Sequence, residues 1–247
     1  MKEAIILAAG QATRMYKNEE NKIPKSLISI DNIPILGRLI DALLENGFLK
    51  IYIIVGNLKE KIIQFINNHN QYSQYSVIFE SKNYIKGPIF SFNDFINYTE
   101  IQENFLLCSS DLIIDPKSIM KMLEAYQQNK SELLIAIDKK YISNGTTVRV
   151  EDKNKTYGKV ISYNFTNKKD LIERKIIPIS ILSKRFLKYI KLAINSRLSR
   201  VIDAMNLYIL DNNPTYYIDL SDYYWFDVDD KIILSKVRRF FNNKKKI

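Results

Sequence analysis

Residues 4–15 of this 247-residue chain have the sequence AIILAAGQATRM, and Pro24 and Lys25 follow shortly after. The apolar run that opens the stretch is typical of a buried β-strand, and the small residues behind it are typical of a tight loop. Small side chains let backbone N–H groups approach phosphate oxygens, and fixed cations such as Arg14 and Lys25 neutralise the remaining charge. The stretch therefore predicts a triphosphate site, although a βα turn with solvated cations has a similar pattern.

Two familiar phosphate loops do not fit this stretch. The Walker loop needs a second glycine five residues after the first, and none follows Gly10 at that distance. The dinucleotide fingerprint needs three glycines, whereas residues 11–13 are Gln, Ala and Thr.

The stretch resembles the amino-terminal motif of the sugar-phosphate nucleotidyltransferase superfamily, which reads LAAG, two residues, T/S-R-M/L and later P-K. Residues 7–10, 13–15 and 24–25 match that pattern. The resemblance implies that Arg14 and Lys25 bind the triphosphate and stabilise charge as pyrophosphate leaves. It also implies that the loop wraps the nucleotide, through Leu7, Ala8, Ala9, Gly10 and Gln11.

The composition limits the available chemistry. The chain has one histidine, His69, and one cysteine, Cys108, which excludes an internal disulfide and a cysteine-based metal site and disfavours Ser-His or Cys-His catalysis. No apolar run reaches the roughly 18 residues of a membrane span, and we expect no signal peptide, because the short amino-terminal apolar stretch continues directly as a strand pattern. We therefore expect a cytoplasmic protein whose catalysis depends on carboxylates, cations and metal.

The formal charge of +10 is concentrated in residues 151–200, which hold thirteen Lys and Arg against four Asp and Glu. Such a segment could attract an anionic substrate, contact nucleic acid or lie against an anionic membrane, and a solvated surface has the same composition. We expect no nucleic-acid partner, because no aromatic-basic RNA motif is visible. Peripheral membrane contact through this segment and a homodimer both stay open.

The first 140 residues alternate strand and helix patterns. This alternation predicts an α/β protein, a three-layer α/β/α sandwich with a mostly parallel, doubly wound (Rossmann-like) mixed sheet. No linker is evident, so we expect a single domain over residues 1–247. Residues 1–140 would be its nucleotide-binding half, and residues 141–247 would bind the acceptor and complete the metal site. The polar stretch around His69 is predicted to be a loop.

Acidic residues follow predicted strands at two places. Asp111 comes after the apolar run 105–108, at the edge where open α/β sheets bind ligands. Asp227 and Asp229 share a face if their segment is extended. The resemblance implies that Asp111 is the first Mg²⁺ ligand and that Asp227, in a Trp-x-Asp pattern, is the second, with Asp229 in reserve. A helix or turn cap is the alternative role for Asp111, and the N-cap of the last helix is the alternative role for Asp229 or Asp230.

Weaker matches extend the predicted site. Gly87 and Ser91 correspond to a family loop that helps to read the base, although an ordinary βα loop has the same residues. Gly158 and Lys159 resemble part of a Gly-x-Val strand that flanks the acceptor. Arg174 could bind the acceptor's phosphate, with solvated surface as the alternative.

These residues together predict a Mg²⁺-dependent nucleotidyltransferase that uses a nucleoside triphosphate and a small phosphorylated acceptor. The string Trp-x-Asp-Val-Asp before a helix resembles the CTP-using branch that includes archaeal inositol-1-phosphate cytidylyltransferases. The preferred substrates are therefore CTP and a phosphorylated polyol or alcohol such as inositol 1-phosphate. UTP, dTTP or GTP with a sugar 1-phosphate is the nearest alternative. A catalytically inactive, nucleotide-binding regulatory relative is an alternative of another class.

Overall fold

The computed structural model describes residues 1–11, 15, 23–129, 131–140, 146–150, 156–162 and 172–244. These residues form one large sheet and two short two-stranded pairings. The strands are β1 (Glu3–Ala8), β2 (Ser29–Ile30), β3 (Ile33–Pro34), β4 (Lys50–Val55), β5 (Ser76–Glu80), β6 (Phe105–Ser109), β7 (Leu112–Ile114), β8 (Leu133–Asp138), β9 (Thr147–Val150), β10 (Tyr157–Ser162), β11 (Ile172–Leu182), β12 (Thr215–Asp219) and β13 (Trp225–Asp227).

Within the described residues, the large sheet has nine strands in the order β5-β4-β1-β6-β11-β8-β12-β10-β9. Neighbouring strands from β5 to β6 are parallel, as are β8 and β12. Only β11 and β10 run against the others, because each pairs antiparallel with its neighbours. The prediction of a mostly parallel mixed sheet is confirmed, and the sheet takes strands from both halves of the chain.

Helices cover both faces of the sheet, which confirms the three-layer arrangement. One face packs against α1, α2, α3 and α5, and the other face packs against α4, α6 and α7. A smaller apolar cluster joins α8 to β13 and to the segment around β2. The helices are α1 (Ile35–Glu45), α2 (Lys59–Asn67), α3 (Asn70–Tyr75), α4 (Pro88–Tyr98), α5 (Pro116–Asn129), α6 (Leu187–Asn195), α7 (Val201–Leu210) and α8 (Lys231–Lys244).

The first strand lies between two parallel neighbours, and its sequence explains this position. Ala4 and Ile6 face one helical layer while Ile5 faces the other, and all three are fully buried or nearly so. An uninterrupted apolar run suits a parallel strand that is covered on both faces. Leu7 is opposite Ile54 of β4 and Ser109 of β6, so these strands end at the same edge.

His69 itself lies exposed between α2 and α3, as expected, but the polar stretch after it forms the short helix α3, which was not predicted. The helix begins directly after His69, whose ring lies against Phe65 and Tyr72. Tyr72 is largely buried and its hydroxyl donates a hydrogen bond of 3.2 Å to Asp41 of α1. Packing against α1 therefore orders a polar stretch that has little apolar periodicity of its own.

The short strand β7 was not predicted. It follows Asp111 directly, and its apolar residues belong to the core. Its partner is β13, more than 100 residues later in the chain, and the two pair antiparallel. A three-residue strand with so distant a partner leaves no local pattern, because tertiary packing stabilises it.

The basic segment identified in the sequence contributes β10, β11, α6 and Arg200, the residue directly before α7. Several of its cations are paired with acids, namely Lys184 with Glu100, Arg185 with Glu132 and Arg200 with Asp203. These ion pairs neutralise part of the positive charge on the described surface. Among the helices of the described residues, none combines the length and the apolar content that crossing a membrane requires.

Candidate active site

A cleft of about 1080 Å³ opens at the carboxyl edge of the parallel strands. Its lining comes from several elements that end or begin at this edge. The first loop contributes Leu7, Ala8, Ala9, Gly10 and Gln11, and the segments after β6 and β13 contribute acidic residues. Parallel sheets bind ligands at this edge because strand ends and helix amino termini meet there.

The first loop leaves open space above Gly10. A Cβ atom built on Gly10 would meet no atom of the described residues within 4 Å, so no packing among them requires glycine here. Met15, by contrast, is buried in the small apolar cluster that includes Val237 of α8. Arg14, predicted to bind phosphate, lies outside the described residues.

Three carboxylates meet in the cleft, from Asp111, Asp227 and Asp229. One oxygen atom from each lies within 4.8 Å of the others. The pairing of β7 with β13 brings them together, since it sets Asp227 opposite Leu112, the residue after Asp111. The backbone N–H of Val228 also donates to the carbonyl oxygen of Asp111 at 3.0 Å. The three aspartates predicted as metal ligands therefore form one cluster.

Asp230, rather than Asp229, caps the amino terminus of α8. The side chain of Asp230 accepts a hydrogen bond of 2.8 Å from the backbone N–H of Ile233, in the first turn of α8. Asp229 instead turns towards the cleft, where its Oδ1 accepts a bond of 2.8 Å from Lys25. The helix is thus capped without removing Asp229 from the cluster.

Lys25 reaches into the carboxylate cluster from the turn Lys25–Leu27. Its Nζ donates to Asp111 Oδ2 as well as to Asp229, and Ser109 Oγ donates to the other oxygen of Asp111. Burial by itself would lower the pKa of Lys25, but the interactions with Asp111 and Asp229 outweigh burial and raise it. Lys25 is therefore a firmly charged ammonium group at the centre of the site.

The carboxyl group of Asp227 is the most perturbed acid of the cluster. Burial, and then repulsion from Asp111 and Asp229, raises its pKa to about 7, and Lys25 and Lys175 offset the shift in part. A divalent cation would relieve this repulsion, and carboxylate oxygens are the donors that Mg²⁺ prefers. The donor set therefore fits the Mg²⁺ that the sequence predicts.

The predicted base-reading loop borders the same cleft. Gly87 has a φ of +123°, which is strained for other residues, and the carbonyl oxygen of Ser199 would lie 3.1 Å from a Cβ there. Ser91 is buried in the first turns of α4 and lines the cleft. The ring of Tyr84 packs on Gly56, where a Cβ would lie 2.5 Å from it. Close packing thus holds the loop at the rim of the cleft.

The predicted acceptor residues lie elsewhere. Gly158 sits on β10 against the ring of Tyr217, Lys159 is exposed, and the guanidinium group of Arg174 donates to the backbone oxygen of the adjacent Glu173. Among the described residues that line the cleft, these three predicted residues do not occur, whereas Lys175 does.

The sequence prediction missed a fourth carboxylate at the cleft, that of Asp138. It ends β8, is mostly buried, and accepts hydrogen bonds from the Trp225 indole at 2.8 Å and from the Lys140 backbone at 2.7 Å. Lys175 lies opposite Asp138 in the register of β11 and β8. The sequence contained a signal for this residue, because Asp138 comes at the end of an apolar run just as Asp111 does.

The doubly wound sheet carries a small-residue first loop, a lysine and clustered carboxylates at its carboxyl edge, which is the arrangement expected of a nucleotidyltransferase. The chain belongs to the family of the MobA-like NTP transferase domain, which residues 4–205 match.

Two curated relatives match parts of the chain. The bifunctional protein GlmU of Methanococcus vannielii is 40% identical over 111 residues, which cover 41% of this chain and 26% of that protein. The 2-aminoethylphosphonate cytidylyltransferase of Lancefieldella rimae is 34% identical over 119 residues, 48% of this chain and 46% of that protein. The matched part thus spans about a quarter of the GlmU relative and about half of the second.

Two solved structures share the fold over nearly the whole chain. The inositol-1-phosphate CTP transferase from T. maritima superposes with a TM-score of 0.77 at 17% identity, covering 97% of this chain and 94% of that one. A UDP-glucose pyrophosphorylase in complex with UDP-glucose has a TM-score of 0.81 at 15% identity, covering 99% of both chains. At identities this low, the similarity shows a shared fold alone.

Proposed function

We propose that this protein transfers the nucleotidyl group of CTP to the phosphate of a small phosphorylated polyol or alcohol, such as inositol 1-phosphate, and releases pyrophosphate in a Mg²⁺-dependent reaction. One observation carries the proposal above the others. The Lys25 ammonium group and three carboxylates meet within a few ångströms beside the first loop. Nucleotidyl transfer can use such an arrangement, because the carboxylates would hold Mg²⁺, and Mg²⁺ and Lys25 would together offset the phosphate charge of the transition state.

The nucleotide would lie over β1 and its loop. Residues 7–11 line the cleft there, and the open space above Gly10 admits a ribose or phosphate close to the backbone. Gly87 and Ser91 line the same cleft and would contact the base. Lys25, with Arg14 outside the described residues, would bind the phosphates.

In the proposed reaction, a phosphate oxygen of the acceptor attacks the α-phosphorus in line, and the bond from that phosphorus to the bridging oxygen of pyrophosphate breaks. The acceptor is already an anion, so little proton removal is needed. Asp111 and Asp227, with Asp229 beside them, would hold Mg²⁺. Bound Mg²⁺ would supply positive charge against the phosphate oxygens and orient them. Lys25 would stabilise the charge that develops on pyrophosphate.

The acceptor would lie on the far side of the carboxylates, over β11 and β8. The order of strands along the edge is β1, β6, β11 and β8, so the nucleotide loop, the carboxylates and the remaining cleft follow in that order. Lys175 lies there, close enough to Asp227 to lower its pKa in part. We assign the acceptor's phosphate to Lys175 rather than to Gly158, Lys159 or Arg174.

The choice of CTP has support from both kinds of similarity. A curated relative is a cytidylyltransferase, and a structural neighbour is a CTP transferase. The similarity to UDP-glucose pyrophosphorylase favours the alternative pair, UTP with a sugar 1-phosphate. We also propose that residues 1–140 and 141–247 act as one functional unit, because the cleft takes lining residues from both halves.

A matrix of CTP, UTP, dTTP and GTP against phosphorylated acceptors tests the proposal. The acceptors are inositol 1-phosphate, 2-aminoethylphosphonate, phosphocholine and glucose 1-phosphate, and pyrophosphate release is measured with Mg²⁺ and with EDTA. We expect the highest rate with CTP and inositol 1-phosphate, and no release in EDTA.

The other outcomes separate the alternatives. Highest turnover with UTP and glucose 1-phosphate would replace the substrate pair while keeping the reaction. Failure of every pair, with nucleotide binding intact, would instead identify an inactive nucleotide-binding relative. Binding to nucleic acid that weakens steeply with salt would point to the basic segment rather than to the cleft.

A further inference from the structure

Lys25 occupies the space in which a metal ion would contact the carboxylates. Its Nζ donates a hydrogen bond to Asp111 Oδ2 and lies 2.8 Å from Asp229 Oδ1, and its side chain is only 16% exposed. The aspartate oxygens that accept these bonds belong to the proposed Mg²⁺ ligands. The ammonium group and a divalent cation would therefore compete for the same oxygen atoms.

The competition has a physical reason on each side. Three carboxylates this close, in a largely buried position, repel one another and need a cation to stay together. Lys25 supplies that positive charge in the metal-free protein. A divalent cation entering beside it would meet a like charge at short range, where the low local dielectric strengthens the repulsion. Lys25 must leave before such an ion can bind well.

A nucleotide offers Lys25 another anionic partner. The turn that carries Lys25 borders the same cleft as the first loop, where the proposed function places the phosphates. A lysine side chain is long and flexible, so its ammonium group can move from carboxylate to phosphate while the backbone stays in place. The carboxylates then become available at the moment when the phosphates arrive.

We propose that the Lys25 ammonium group takes the place of a metal ion in the nucleotide-free protein. It holds the carboxylate cluster together and excludes a free divalent cation until nucleotide phosphates draw the ammonium group away from the carboxylates. This inference rests on the proposed nucleotide site. It makes metal and nucleotide binding mutually favourable, and thermodynamic linkage requires that coupling to be reciprocal. The free protein should therefore bind a divalent cation weakly, although its three carboxylates suit one.

The test titrates Mn²⁺, detected by its electron paramagnetic resonance signal, into the nucleotide-free full chain. Lys25→Met removes the ammonium charge and keeps a side chain of similar length. We expect this variant to bind Mn²⁺ at least about tenfold more tightly than the wild type, within the usual range of coupling between sites. In EDTA, the same variant should bind CTP, UTP, dTTP or GTP more weakly than the wild type. Gains for metal and losses for nucleotide are opposite effects that structural damage would not produce.

Two controls isolate the effect. Lys236→Met removes a positive charge from another lysine that lines the cleft, and its Mn²⁺ affinity should stay within about twofold of the wild type. Lys25→Arg keeps a cation at the site and should bind Mn²⁺ as weakly as the wild type. If Lys25→Met does not fold, Lys25→Gln supplies the same comparison, because it keeps a hydrogen-bond donor without the charge.

Unchanged or weaker Mn²⁺ binding in the neutral Lys25 variants would overturn the inference, as would an equal gain in Lys236→Met. The titration needs neither turnover nor the correct base. A protein that turns over no substrate pair but shows the tighter Mn²⁺ binding would therefore keep the inference and lose the proposed function. Turnover by the wild type, together with unchanged Mn²⁺ binding in Lys25→Met, would keep the proposed function and overturn the inference.

Discussion

The indole Nε1 of Trp225 donates a 2.8 Å hydrogen bond to Oδ2 of Asp138, which joins β13 to the end of β8. Asp227, two residues after Trp225, is part of the carboxylate cluster. The Trp-x-Asp pattern therefore has a structural explanation. The partly buried tryptophan packs against the core at the wall of the cleft, and its N–H anchors the short strand that presents the aspartate.

Loss of this anchor should lower both stability and turnover. Trp225→Phe keeps an aromatic ring but removes the donor to a mostly buried carboxylate, and hydrogen bonds to charged groups contribute about 1.5–3 kcal/mol. We expect a loss of this size in the free energy of unfolding, measured by urea denaturation. A double-mutant cycle with Asp138→Ala should give a coupling energy above about 0.5 kcal/mol.

The matched control is Tyr98→Phe, which removes a polar atom from an aromatic residue that is 80% exposed. Its stability should stay within about 0.5 kcal/mol of the wild type. Additive effects of Trp225→Phe and Asp138→Ala would show that the hydrogen bond does not hold β13.

Asp111 and Lys25 should both be needed for turnover. Asp111→Asn and Lys25→Ala should each reduce turnover on the preferred substrate pair by at least about tenfold, a loss of about 1.4 kcal/mol in transition-state stabilisation. Asp222→Asn and Lys121→Ala, on the exposed surface, are the matched controls. Wild-type rates for either site variant would contradict the assignment of that residue.

Stability of the metal-free protein should depend on the protonation of Asp227. Its pKa is raised to about 7 in the folded protein, against about 3.9 in an unfolded chain. The folded state therefore binds the proton more tightly. The resulting stabilisation is fully present below about pH 4 and is lost as the pH rises towards 7 and above.

Urea unfolding in EDTA between pH 5 and pH 8 measures this effect as a difference between variants. Asp227→Asn cannot titrate at this position, so the stability of the wild type relative to this variant should fall as the pH rises. The slope should not exceed about 1.4 kcal/mol per pH unit, the limit for one proton. Asp222→Asn, at an exposed position, should run parallel to the wild type, and parallel curves for Asp227→Asn would refute the prediction.

Alanine substitutions at two glycines should distinguish an effect on ligand binding from an effect on folding stability. A Cβ at Gly10 projects into open cleft, so Gly10→Ala should leave the melting temperature unchanged and weaken nucleotide binding. A Cβ at Gly158 would lie 2.8 Å from the ring of the fully buried Tyr217, so Gly158→Ala should lose about 1–3 kcal/mol of stability.

Thermal melts and nucleotide titrations on both variants decide the matter. An unchanged nucleotide affinity in Gly10→Ala would remove the first loop from the proposed site. Gly158→Ala with normal stability but a raised KM for the acceptor would restore the acceptor role that the sequence predicted.

Much of the fold was predictable because its signals are local. The apolar runs of β1, β4 and β8 and the helix patterns between them indicated a mostly parallel sheet with helices on both faces. The weak points were α3 and β7. Neither has a pattern strong enough to define it alone, since α3 is ordered by α1 and β7 by β13. At the site, Asp138 and Lys175 line the cleft without having been predicted, whereas the predicted Arg174 is not among the described residues that line it.

The sequence by itself determined the first loop, the family and the aspartates that end strands, because each depends on residues close together in the chain. The tertiary structure decided how these pieces meet. Asp111 meets Asp227 through the pairing of β7 with β13, and Lys25 meets Asp229 across 204 positions of the chain. Such contacts form only when the packed layers bring distant strand ends to one edge, so no local pattern could contain them.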